Sequence, residues 1–178
     1  LEGMRVLQAG GRALDAVERG IGAVEDDPAV ATVGLGGAPN LDGVCELDAS
    51  IMDGETLRSG AVGALRNIRH PISVARKVME RTPHVLLVGE GALGFARSLG
   101  FREEAGCWKP GVREKWKELR RELEALNVPG RDYLGEIAAF LRARVEGEEP
   151  AGTVSAVAVD GKGNVASGNS TTGLIMKL

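Results

Sequence analysis

Gly152-Thr153-Val154-Ser155 places a hydroxyl residue directly after a glycine, where a loop runs into the apolar stretch 153–160. Taken alone, such a segment is an ordinary buried strand entered from a flexible loop. The residue types permit more than that. Glycine lets a peptide adopt a strained conformation open to attack. The Thr153 hydroxyl could then attack the Gly152 carbonyl, moving the acyl group from nitrogen to oxygen, and water could cleave the ester. The freed α-amine, with a reference pKa of about 7.7–8.0, would serve as a base near neutrality. A threonine hydroxyl and its own amine make a nucleophile–base unit that needs no histidine.

Other residues could also do chemistry. Gly89-Glu90-Gly91-Ala92-Leu93-Gly94 fits the dinucleotide fingerprint, follows an apolar stretch and opens a helix. A nucleotide-binding unit would also need a second parallel strand ending in an acid about 20 residues on. Residues 103–108 do not read as a strand, so close helix–strand packing is the preferred explanation for these glycines. Glu46, Asp48, Asp53 and Glu55 form an acidic cluster that could face a hard cation. The segment is apolar between its acids, which favours structural and turn roles. His70 and His84 have no His or Cys partner at ligand spacing and read as core or helix-start residues, so no metal or cofactor is expected. There is no GxSxG motif, and neither Cys45 nor Cys107 has a histidine to form a dyad.

The elements that must position these residues follow from periodicity and breakers. Residues 3–25 carry Val6, Leu7, Ala13, Leu14, Val17, Ile21 and Val24 at helical spacing, with Pro28 beyond. Strand-like pieces lie at 29–35, 44–52 and 60–65. The stretch 70–82 reads as a helix with Pro71 in its first turn. A buried strand is expected at 84–88 and a short helix at 92–99. Charges and prolines crowd residues 102–150, which read as an exposed connector with helices over 112–126 and 133–145, leading into the loop 146–152. The strands 153–160 and 164–170 meet at Asp160-Gly161 and Gly163-Asn164, good hairpin chemistry. Both α+β and layered α/β arrangements remain open.

At 178 residues, with 43% hydrophobic and only 3% aromatic content, the chain suits one domain with an aliphatic core. A net charge of −3 and the lack of a basic stripe argue against nucleic acid and anionic membrane surfaces as partners. Two cysteines are too few for a disulfide framework, and no apolar run is long enough to cross a bilayer. A cytoplasmic protein with reduced thiols is the expectation.

Four ordered segments resemble the N-terminal-nucleophile hydrolases of the plant-type asparaginase, isoaspartyl peptidase and glycosylasparaginase family. They are Val33-Gly34-Leu35-Gly36-Gly37-Ala38-Pro39-Asn40, Leu47-Asp48-Ala49-Ser50-Ile51-Met52-Asp53-Gly54, Gly60-Ala61-Val62-Gly63-Ala64-Leu65 continuing to Gly89-Glu90, and Gly152-Thr153-Val154 through Thr171-Thr172-Gly173. The resemblance implies a four-layer αββα sandwich and a single domain cut between residues 1–152 and 153–178. It implies Thr153 as nucleophile, Thr171 beside it, a small asparagine-like or β-aspartyl substrate, and a homodimer of cleaved protomers. Glycosylasparaginases usually carry aspartate before the threonine. Gly152 is instead like the other two branches, leaving ammonia, an amino acid or a glycosylamine open as the leaving group. The family's substrate clamp and oxyanion hole are expected beyond Leu178 and its first strand before Leu1, as in a chain truncated at both ends. An inactive homologue with a structural or binding role is the alternative expectation.

Overall fold

The apolar period over the first 25 residues is carried by two helices, α1 (Glu2–Gln8) and α2 (Ala13–Glu25). They part at Gly10, whose φ of 78° lies in the left-handed region that ends helices. The hydrophobic pattern runs across this break, so periodicity alone joins the two. The computed structural model describes residues 2–104, 108–126, 135–145 and 152–177.

Among the described residues, five strands form one mixed sheet: β1 (Leu47–Asp53), β2 (Arg58–Leu65), β3 (Leu86–Val88), β4 (Val154–Val159) and β5 (Val165–Thr171). Their spatial order is β3-β2-β1-β5-β4. All neighbours are antiparallel except β2 and β3. The expected strand at 29–35 does not form; this stretch is a looping segment without ladder pairing. β3 is shorter than expected and is not buried, with Leu86 54% and Val88 58% exposed.

Alternation along β1 turns Leu47, Ala49 and Ile51 to one side and Asp48, Ser50 and Met52 to the other. The first side meets a helical layer of α2, α3 (Pro71–Arg81) and α4 (Gly89–Ser98). Leu14, Val17, Ile21, Ile72, Val78 and Leu93 pack with these strand residues into one aliphatic core. α3 starts where Pro71 supplies a helical φ at no hydrogen-bond cost. α2 starts where the Ala13 amide donates to the Asp160 carboxylate at 3.2 Å, tying the helix to the β4–β5 turn. The described residues thus build one helical layer on one sheet.

α5 (Val112–Ala125) and α6 (Glu136–Val145) are less exposed than a charged connector would be. Leu119, Leu123 and Ile137 bury themselves against Leu41 and Met176 in a second small cluster. Trp116 fixes the contact by donating its indole N–H to Asn40 O at 3.0 Å. Residues 133, 134 and 146–151, parts of the expected second helix and loop, lie outside the described residues, as does Cys107. No helix among the described residues is long and apolar enough to cross a membrane.

Candidate active site

The antiparallel ladder between β4 and β5 ends at the pair Val154–Ser170, and the next residue on each strand is Thr153 and Thr171. Register therefore brings together three residues picked out by sequence: Gly152, Thr153 and Thr171. Thr153 is exposed at the head of β4. The Thr171 hydroxyl lies 3.4 Å from Gly152 O and 3.5 Å from Thr32 O, so its single proton can reach either carbonyl. The Gly173 amide donates to the same hydroxyl oxygen at 3.0 Å, which fixes the oxygen in place.

Thr32 is the site residue that sequence reading missed. It sits half-buried in the loop between α2 and β1. Its carbonyl accepts from the Thr172 amide at 2.8 Å, and Thr172 Oγ1 in turn accepts from the Ala38 amide at 3.1 Å. The Thr32 side chain also lies against Gly152: a Cβ added to Gly152 would come within 2.5 Å of Thr32 Oγ1. Gly152 is not in a left-handed conformation. The need for glycine here is therefore a need for space beside Thr32, not for an unusual backbone angle. Only the adjacency of Thr32 to the glycine-rich run 34–37 hinted at it in sequence, since its partners are more than a hundred residues away.

A buried carboxylate supports β5 from beneath. Glu25, at the end of α2, is fully enclosed. It accepts from Ser170 Oγ at 2.7 Å and from the Ile72 amide at 3.2 Å, and lies 3.3 Å from His70 Nδ1. This hydrogen bond to the Glu25 carboxylate holds the His70 ring above its usual pKa, against the opposing effect of burial. Ser170 is the residue before Thr171, so Glu25 anchors the end of β5 to the first turn of α3. On the open face, Ser155 Oγ donates to Asn169 Oδ1 at 2.7 Å and Asn169 Nδ2 lies 3.4 Å from Ser50 Oγ, a polar row running inward from β4.

The remaining candidates are engaged elsewhere. Glu46 pairs with Arg66 at 2.6 Å, and Asp53 and Glu55 both accept from Arg12. Asp48 accepts from the Ala64 amide at 2.8 Å. His70 precedes α3, and Cys45 has its thiol pKa pushed up by burial. At the fingerprint-like turn, Gly89 has φ 51°, but a Cβ on Gly91 or Gly94 would meet nothing within 4 Å. Close helix–strand packing therefore does not explain those two glycines.

The arrangement can polarise the Gly152 carbonyl from Thr171 while the hydroxyl of the adjoining Thr153 stands free to solvent at the head of β4. Over residues 1–178 the sequence matches the family model described as asparaginase. It is 41% identical to an N(4)-(beta-N-acetylglucosaminyl)-L-asparaginase of Elizabethkingia miricola, covering 100% of this chain and 47% of that protein. It is 44% identical to a plant-type L-asparaginase of Pyrococcus horikoshii (94% of this chain, 52% of the relative). It is 41% identical to an isoaspartyl peptidase/L-asparaginase of Homo sapiens (99% and 52%). The chain spans about half the length of these curated relatives. Taken with the match along its whole length, these similarities mean that the chain belongs to the asparaginase family.

Proposed function

We propose that the protein is a self-processing threonine amidohydrolase that acts on the β-amide of asparagine or of β-aspartyl compounds. The observation that carries this reading is the meeting of Gly152, Thr153 and Thr171 at the end of the β4–β5 ladder. Thr153 Oγ attacks the Gly152 carbonyl carbon, and Thr171 donates a hydrogen bond to the oxygen as charge gathers on it. The C–N bond breaks, the nitrogen takes up a proton, and residue 153 becomes esterified to Gly152. Water then cleaves the ester, releasing a Gly152 carboxylate and restoring the Thr153 hydroxyl. The new α-amine accepts the hydroxyl proton when Thr153 next attacks, now at a substrate carboxamide. The amine leaves with a proton, a β-aspartyl ester remains on Thr153, and a second water hydrolyses it.

In this reading residues 1–152 and 153–178 belong to one domain on either side of the cut. The sheet face opposite the helices, with Met52, Val157 and Val159 exposed, is an inner surface of a four-layer sandwich. The relatives' names support a substrate with an asparagine or isoaspartyl core. The test is intact mass and N-terminal sequencing of the full-length protein, followed by an amide-hydrolysis assay on asparagine and β-aspartyl peptides. The expected result is a fragment beginning at Thr153 and an activity that Thr153→Ala abolishes together with the cut. Full activity in that variant would overturn the proposal.

A further inference from the structure

Lys109 lies just ahead of α5, 8% exposed, far in sequence from the residues around the cut. Its Nζ donates to three backbone carbonyls, Asp27 O at 2.9 Å, Val30 O at 2.6 Å and Val33 O at 2.6 Å. Its backbone amide donates to Gly36 O at 2.7 Å. All four acceptors belong to the loop that carries Thr32. Three converging carbonyls require three N–H donors, which the ammonium has and a neutral amine lacks. Residues 29–35 of the loop pair with no strand among the described residues, and Val33 is buried. Removing the ammonium would take this donor from the buried Val33 carbonyl and from the half-buried Val30 carbonyl, so the loop would have to rearrange.

The rearrangement would reach the site directly. Val30 and Val33 flank Thr32, whose carbonyl is bonded to the Thr172 amide and whose hydroxyl side lies against Gly152. We infer that Lys109 is a positioning residue for the reaction at Gly152–Thr153: a tethered cation that shapes the loop and so holds Thr32 against the scissile peptide. The inference rests on the self-processing reading above. It adds that a side chain just ahead of α5 sets the rate of that reaction without touching the reacting atoms.

The experiment follows self-cleavage of the full-length protein by mass spectrometry in four forms: wild type, Lys109→Gln, Thr32→Ala and the double variant. Glutamine keeps two N–H donors but no charge, and circular dichroism and urea unfolding check that each form folds. The expected result is cleavage slowed about tenfold or more in Lys109→Gln, the order expected when a group beside the reacting atoms is misplaced. Thr32→Ala should then add little in the Lys109→Gln background, because Lys109 acts through Thr32. A second variant, Lys109→Ala, is assayed with n-propylammonium, the fragment the substitution removes, and with n-propanol as the uncharged control. Saturable recovery with the cation alone is expected, which a merely structural role would not give. Wild-type rates in Lys109→Gln, additive effects of the two substitutions, or equal recovery with propanol would each overturn the inference. A wild type that never cuts itself would instead overturn the self-processing reading.

Discussion

Replacing Gly152 by alanine tests the most specific geometric feature of the site. The added Cβ would stand 2.5 Å from Thr32 Oγ1, about 0.9 Å inside the 3.4 Å at which ordinary van der Waals contact begins. Thr32 is β-branched, so its hydroxyl can move away only by turning χ1 into another staggered well, which carries its methyl group round with it. Either the scissile peptide shifts by most of an ångström or the Thr32 hydroxyl is displaced. Misplacement by about 1 Å costs on the order of 100-fold in rate, or about 2.7 kcal/mol of barrier. The assay is the half-time for appearance of the fragment beginning at Thr153, in freshly purified Gly152→Ala and wild type at one temperature. Thr32→Ala removes the colliding oxygen and leaves the Thr32 Cβ at 3.5 Å, an ordinary contact. Adding Gly152→Ala to Thr32→Ala should therefore slow cleavage less than about threefold, since the two effects are coupled. Cleavage of Gly152→Ala at the wild-type rate, or an undiminished penalty in the double variant, would show that space beside Thr32 is not what requires glycine.

Three further predictions concern stability. The raised pKa of His70 means that its pairing with Glu25 stabilises the fold fully below the ordinary value of 6.5 and less as pH climbs through the raised value; urea midpoints should fall over that window in wild type and stay flatter in His70→Gln. Glu25→Leu leaves the Ser170 hydroxyl and the Ile72 amide without their acceptor, and should cost about 3 kcal/mol in urea unfolding; a loss under about 1 kcal/mol would show that the buried carboxylate is dispensable. Gly60→Ala drives a Cβ into the α3 backbone at Ala75 O and Met79 N, which should cost about 3 kcal/mol by overpacking; unchanged stability would show that α3 can lift off β2 freely.

Local chemistry made some of this architecture readable in the sequence. Pro71 marked the start of α3. Asp160-Gly161 and Gly163-Asn164 marked the β4–β5 turn, where the Asp160 carboxylate accepts from the Lys162 and Asn164 amides and Gly163 takes φ 83°. Gly152 and Thr153 could be picked out because they sit at a strand end with their chemistry in their own side chain or peptide, whereas Thr171 was marked only by the family resemblance. Thr32 could not be picked out, because residues 29–35 have strand-like composition but form a loop whose carbonyls at 27, 30 and 33 are taken by Lys109, 76 residues or more further on. The cover over α5 was hidden for a similar reason: Leu41 and Met176, which close that cluster, lie far before and far after it in the chain. The glycines at 91 and 94 show the converse error, in which a packing role read from a motif finds only open space.

The strand order has a consequence for what a cut would do to the molecule. β4 lies at one edge of the sheet and pairs with β5, and β5 pairs with β1 from Asp48–Thr171 to Asp53–Ala166. A break before Thr153 would therefore leave the downstream piece inserted in the upstream one, sharing its ladder and the packing of α2, and the folded shape could persist unchanged. Unfolding would be another matter. The intact chain refolds in a step whose rate is independent of dilution, whereas two released pieces must find each other again. Recovery of the cut form would then fall with protein concentration, making its durability a question of how rarely it opens rather than how readily it re-forms.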